Sequence, residues 1–201
     1  MIMPKDLFFS IPDGKRSRIM EASINEFSRQ MFNNASINQI IKEADISRGS
    51  FYQYFEDKDD LYFFTIQSII KATAYTFLKQ FMASQPQDIY SVYRSLFVYN
   101  LQLLSDGEYK AFFRNMYFGL NYRLQQKLKA IFSSIRGELL EYRLNELQQK
   151  SGYDGPYFQE LMNILELNNR DLLMLYISRP MDIETIMDVY DLRIRVIRTV
   201  G

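Results

Sequence analysis

Apolar positions along the chain recur every three to four residues almost throughout, and no Asn-Gly or Asp-Gly turn sits between alternating runs. From about Asp13 to Met31, the residues Met20, Ile24, Phe27 and Met31 fall on one helical stripe. Ser36 reads as an N-cap, with Ile37, Ile40, Ile41 and Ala44 at helical spacing behind it. Ser47 reads as the next N-cap and opens a helix to about Phe55. Asp57 caps a long fourth helix to about Ser84, with Asp60 completing an imperfect capping box. Breaks at Ser84–Pro86, Ser105–Gly107, Ser151–Pro156 and Ser178–Pro180 separate stretches near 88–104, 108–120, 121–150, 156–177 and 182–199. The pattern therefore predicts an all-α chain. It divides into a three-helix helix-turn-helix head over 1–57 and a larger helical body over 58–201.

Composition narrows the chemistry. The chain has neither Cys nor His among its 201 residues, which removes disulfides, thiolate chemistry, the usual zinc ligands and any His-based triad. No cofactor and no metal is expected, and no spaced set of Asp, Glu, Lys, Tyr or Ser suggests an enzyme. No apolar run reaches the length of a membrane span and the N-terminus lacks a signal-peptide core, so a cytoplasmic protein without membrane contact is expected. The net formal charge is zero. The first 60 residues hold eight Lys and Arg against ten Asp and Glu, so any contact with DNA requires that the cations be spatially sorted.

The helix from Arg48 to Phe55 carries the most information. At roughly 100° per residue, Phe51 and Phe55 point inward together, while Gln53 lies opposite, flanked by Gly49 and Ser50. That outward arc is small and hydrogen-bonding. Gln reads adenine through two hydrogen bonds, and Ser donates or accepts at several bases. Tyr52 and Tyr54 sit at the edges, either as half-buried rings or with hydroxyls toward phosphate. Arg48, nearer the inward side, is long enough to swing to guanine or phosphate. Ser36, at a helix N-terminus, presents a hydroxyl and N–H groups suited to phosphate. Lys58 stands at the first turn of the fourth helix, where a cation opposes the helix dipole and an incoming phosphate would relieve it.

Ser36, Ile40, Ala44, Ile46, Ser47, Gly49, Phe51, Tyr52, Tyr54, Phe55, Lys58 and Leu61 agree in register with one family. The segment over about 13–62 resembles the DNA-binding head of tetracycline-repressor-like (TetR/AcrR) regulators. Ile41 replaces the family's usual Ala, and Asp45 its usual turn Gly; Asp tolerates that turn geometry. The resemblance implies an all-helical homodimer of nine or ten helices, a palindromic double-stranded DNA operator, and usually repression relieved by a small-molecule effector. It also implies phosphate contacts at Ser36, Tyr52, Tyr54 and Lys58, and base contacts at Asn38, Arg48, Ser50 and Gln53.

The body has no motif of its own. Its aromatic density has two readings, an ordinary core or the lining of an apolar cavity with Tyr hydroxyls as polar contacts. The second reading nominates Phe64, Tyr75, Tyr93, Phe97, Phe113, Tyr117 and Tyr122, with Met82 among the adaptable residues and Arg94, Arg114 and Arg123 as contacts for an anionic ligand. The effector would be small and apolar or amphipathic. For the dimer, Leu161, Leu165 and Leu172 supply apolar area on the penultimate helix, with Ile164 beside them. Ile183, Met187, Tyr190 and Ile194 recur on the last. If those helices packed only within one chain, they would complete its core. The rival function is a helical small-molecule carrier or protein-binding scaffold without specific DNA binding, favoured by the negative balance of the head.

Overall fold

The computed structural model describes residues 4–84, 87–105, 107–179 and 181–200, with side chains at 74–76, 79, 80, 82, 84, 136, 138, 139 and 200 outside that description. The breaks expected at Pro86, Asp106 and Pro180, and the side chains of Tyr75 and Met82, therefore lie outside the described residues. The described chain is helical, with no strand among those residues. Its helices are α1 Asp6–Ser10, α2 Asp13–Arg29, α3 Ile37–Glu43, α4 Arg48–Tyr54 and α5 Lys58–Ser84. They continue as α6 Ile89–Ser105, α7 Lys110–Phe118, α8 Tyr122–Ser151, α9 Gly155–Ser178 and α10 Ile183–Val200. Among the described residues no helix is long and apolar enough to cross a membrane. Packing groups the chain into two compact units, one of residues 1–75 and 106–135, the other of 76–105 and 136–201.

In the first unit the helix boundaries follow local chemistry. Ser47 caps α4 by accepting the backbone N–H of Ser50 at 3.0 Å. Asp57 accepts the N–H of Asp60 at 2.9 Å, and the Asp60 carboxylate accepts the N–H of Glu56 at 3.2 Å, closing the box that starts α5. Asp45 takes the left-handed turn between α3 and α4, at φ 53°.

Two features of this unit depart from the sequence pattern. The first is the stripe on α2. It is centred on Ile19, Ala22, Ser23, Glu26 and Phe27, while Met20 and Ile24 are half-buried and Met31 is exposed. The rotation brings the Glu26 carboxylate inside, where it accepts the N–H of Ser36 at 2.8 Å. Ser36 is thus the N-cap of α3 by backbone geometry, but its hydroxyl makes no capping bond. The second is α1, which the periodicity does not predict. Phe8 on α1 is completely buried against the rings of Phe55, Phe64, Phe9 and Tyr54, at 4.9, 5.4, 5.6 and 6.1 Å.

The same unit holds α7 against α2. Asn115 on α7 donates to the carbonyls of Phe27 and Ser28, the latter at 2.7 Å, so a residue of α7 caps the end of α2. Tyr62 on α5 packs on Phe27 at 4.7 Å and Phe32 at 4.8 Å, with Phe112 of α7 at 6.2 Å. Asp59, in the first turn of α5, is bound by Arg123 and Lys127 of α8, each at 2.8 Å.

In the second unit, α6, α9 and α10 share a core. Phe97 stacks on Tyr190 with centroids 4.6 Å apart, and Asn169 donates to the carbonyl of Tyr93 at 2.9 Å. Asp154 caps α9 by accepting the N–H of Tyr157 at 2.8 Å. Ion pairs tie the periphery: Arg198 to Asp88 at 2.7 Å, Arg193 to Asp171 at 2.6 Å and Arg94 to Asp191 at 3.2 Å.

Candidate nucleic-acid interface

α3, the Asp45 turn and α4 form one exposed surface. Phe51 and Phe55 are fully buried, which anchors α4 by one side and turns Gly49, Gln53 and Tyr52 outward. Gln53 is exposed and its amide makes no hydrogen bond among the described residues, so all of its donor and acceptor capacity is free. A Cβ at Gly49 would approach nothing closer than 3.8 Å, so this glycine keeps the surface low rather than serving a strained backbone. Ser50 is half-buried, its hydroxyl 2.9 Å from that of Ser47.

Arg48 is exposed. It donates to Asn38 Oδ1 at 2.8 Å, and its guanidinium lies over the Tyr52 ring at 5.7 Å. That arrangement joins α3 to α4 on the outer surface and holds Arg48, Asn38 and Tyr52 as a set. A second open surface, of about 620 Å³, lies beside them and is lined by Ser36, Asn38, Gln39, Lys42, Arg29 and neighbours. Arg29 is held by Glu43 at 2.7 Å; hydrogen bonds from Arg29 and then Asn25 pull the Glu43 carboxyl below its ordinary range.

Two expected phosphate contacts are placed otherwise. Tyr54 is only 4% exposed, packed against Phe8 with the Lys15 ammonium 5.4 Å from its ring. An inward ring at the end of α4 supports the helix rather than meeting solvent. The Lys58 ammonium donates to the carbonyls of Ala35 at 2.9 Å and Asn33 at 3.3 Å, and sits 4.8 Å from the Phe32 ring. Burial pushes its pKa down, against the opposing charges of Asp59 and Glu26. Lys58 thus fixes the turn that leads into α3.

Sequence reasoning missed Lys5. Its ammonium donates to the Tyr52 carbonyl at 3.0 Å and pairs with Glu56 at 3.0 Å, while its backbone N–H reaches the Tyr54 carbonyl at 2.8 Å. A cation and an N–H on the last carbonyls of α4 form a C-terminal cap. The only local signal was a lysine before a Phe-Phe pair, and its acceptors lie about 50 residues downstream.

The nominated pocket residues are divided between the two compact units. Phe64 belongs to the aromatic cluster around Phe8, Phe113 packs edge-on to Phe112 at 5.5 Å, and Tyr122 is 78% exposed. Tyr117 is half-buried. Tyr93 and Phe97 are core residues of the second unit. Arg94 instead lines an open cleft of about 840 Å³ between α6 and α10.

The nominated dimer residues are mostly spent inside the chain. Leu165, Leu172 and Tyr190 are fully buried, and Leu161 and Ile194 nearly so, because the strongest stripe of each helix closes the core of its own chain. Met187 is half-buried, and Ile183 is 48% exposed. Tyr157, Ile164 and Leu167 on α9, and Ile183, Leu192 and Val196 on α10, remain exposed. The Arg193–Asp171 pair, at 2.6 Å, joins the two helices.

Comparison with known proteins adds the family. The model of the bacterial regulatory proteins of the tetR family matches residues 19–63. The model of the tetracyclin repressor-like C-terminal domain matches residues 88–199, more than half of the chain. The chain belongs to the tetracycline-repressor-like family. The regulator HbdR of Aromatoleum sp. strain CIB is 41% identical over 56 residues, covering 28% of this chain and 24% of that protein. AcrR of Shigella flexneri is 30% identical over 87 residues, covering 43% of this chain and 40% of that protein. The chain thus spans well under half the length of these curated relatives in the matched part. A TetR family transcriptional regulator from Chloroflexus aurantiacus J-10-FL matches 98% of this chain and 94% of its own, at a TM-score of 0.52 and 22% identity, which shows a shared fold.

Proposed function

We propose that the chain is a homodimeric, ligand-responsive regulator of transcription, a repressor that leaves a palindromic operator when a small amphipathic molecule binds its body. The observation that carries the proposal is the α4 surface: Gln53 unbonded and exposed, beside Gly49 and Ser50, over a fully buried Phe51–Phe55 pair. In this reading residues 1–57 hold the DNA and residues 58–201 sense and dimerise.

Gln53 and Ser50 read bases, Gly49 allows the close approach, and the Arg48–Asn38–Tyr52 set covers the neighbouring base and phosphate. Ser36 and the free N–H groups of α3 take a phosphate. Lys58 and Tyr54 act from beneath, by holding α3 and the end of α4 in place. The negative balance of the head then matters little at short range, because a helix N-terminus and a few placed cations do the anchoring, and the carboxylates of Glu26, Asp59 and Asp60 are engaged within the head or by α8. With few cations at the DNA, affinity falls only shallowly with added salt.

A second copy docks on α9 and α10 through Ile164, Leu167, Leu192 and Val196. Ligand binding shifts α5, whose first turn carries both Lys58 and the Asp59 anchor for Arg123 and Lys127. The effector must prefer one separation of the two heads, or no release occurs. The proposed role is regulatory rather than catalytic, in keeping with the relatives named as transcriptional regulators. A gel shift with the DNA flanking its own gene tests the proposal. A specific complex supports it, and the absence of any specific complex with that DNA sinks it.

A further inference from the structure

The cleft between α6 and α10 has a polar floor that nothing in the fold satisfies. It is lined by Tyr90, Ser91 and Arg94 from α6 and by residues of α10 from Asp188 to Arg198. Beneath it lies Tyr190, fully buried, whose hydroxyl has no hydrogen-bond partner among the described residues. An orphaned buried hydroxyl is unfavourable, and native folds pair nearly all such groups. Its ring is fixed by the stack on Phe97 at 4.6 Å, so the hydroxyl cannot swing out to water. Arg94, Asp191 and Arg198 line the cleft beside it, and Asp88 pairs with Arg198.

Three arginines, Arg94, Arg195 and Arg198, face two lining carboxylates, Asp188 and Asp191. Arg198 is pinned by Asp88 at 2.7 Å and lies 4.3 Å from the Tyr90 ring, a rigid cation over an aromatic wall. Arg94 already holds a carboxylate, that of Asp191, at 3.2 Å. Arg195 makes no hydrogen bond or ion pair among the described residues. A guanidinium fork left open, next to one that binds a carboxylate, is suited to a second carboxylate. Leu192, Val189, Ile194 and Tyr90 supply the apolar remainder of the lining.

We propose that the α6–α10 cleft binds a small organic carboxylate with an aromatic or alkyl body. Its carboxylate takes Arg195 and displaces Asp191 from Arg94. That opens the floor so that the Tyr190 hydroxyl donates to it. The body lies along Tyr90 and Val189, beside Leu192 of the apolar surface proposed for the second copy. The site deepens the effector-sensing part of the proposed function, and only its effect on DNA rests on that reading.

The test is isothermal titration of the full chain with phenylacetate and with octanoate, against benzylamine and inorganic phosphate. Expected is saturable binding of at least one carboxylate, one per chain, with no binding of benzylamine and none of phosphate. Arg195→Ala weakens that binding by about tenfold, the loss of one charge-assisted contact. Tyr190→Phe weakens it several-fold and unfolds no more easily than the parent, since it removes an unpaired hydroxyl and keeps the ring. The proposal is overturned if neither carboxylate binds, if phosphate binds as well as they do, or if both variants bind like the parent. A gel shift on the same protein separates the two ideas. Specific DNA binding without carboxylate binding overturns the site alone. Carboxylate binding without specific DNA binding overturns the regulator and leaves the site standing.

Discussion

Replacing Phe8 by alanine isolates what the N-terminal helix α1 contributes to α4. Phe8 is fully buried and its ring has four aromatic neighbours, with Phe55 nearest at 4.9 Å. A buried Phe removes about 150–250 Å² from water, worth about 4–6 kcal/mol at ~25 cal/mol per Å². Alanine keeps part of that area, so the loss is about 3–5 kcal/mol, the usual span for Phe→Ala in a core. A five-residue helix has almost no stability of its own, so α1 detaches with its ring. Lys5 then leaves the Tyr52 and Tyr54 carbonyls, and α4 loses its cap. Urea unfolding followed by circular dichroism measures the stability, and fluorescence anisotropy with labelled operator measures the affinity. Both fall in Phe8→Ala, while Phe8→Leu recovers most of each. A stability loss under about 1 kcal/mol would refute the docking of α1 on which this reasoning depends.

Other outcomes follow from single contacts. Asp45→Gly raises stability by about 1 kcal/mol, because a left-handed φ of 53° costs any residue with a Cβ, whereas Asp45→Val lowers it; thermal unfolding reads both. Asp59→Asn costs about 1–2 kcal/mol at neutral pH, a modest sum because the freed Arg123 is 59% exposed and returns to water. Burial raises the Asp59 carboxyl, but Lys127 and Arg123 outweigh it and leave its pKa below the ordinary value. Its contribution is therefore complete above the unfolded carboxylate range near pH 4 and disappears as pH falls through the lower folded value. The gap between parent and variant closes on acidification, which acid-unfolding curves measure. Under the proposed dimer, Leu167→Glu combined with Val196→Glu yields monomer in sedimentation, while Leu165→Ala mainly destabilises each chain, by about 2–5 kcal/mol.

The helix ends were legible because their chemistry is local. Ser47 with Ser50 and Asp57 with Asp60 sit three residues apart and bond as their spacing suggests. The inward and outward sides of α4 were legible for the same reason, since Phe51, Phe55 and Gln53 obey a simple wheel. α1 was not, because five residues are too few for a period and its fold comes from rings on α4 and α5. Lys58 looked like a dipole-opposing cation awaiting a phosphate; its carbonyl acceptors lie 23 and 25 residues upstream. In the body, aromatic density could not say which core each ring joins, so Phe64 and Phe97 were grouped though they pack in different units. The last two helices misled in a related way. Their strongest apolar stripes serve their own chain, and residues outside those stripes, such as Ile164, Leu167, Leu192 and Val196, stay exposed.

The central claim is that the exposed side of α4 reads DNA. Anisotropy titration of the full chain against the DNA flanking its gene, with the parent and with Gln53→Ala/Tyr52→Ala, tests it most directly. The prediction is a specific complex whose affinity falls by about tenfold or more in the double variant, as the loss of a bidentate base contact and a backbone contact requires. A double variant that binds that DNA as tightly as the parent would contradict it.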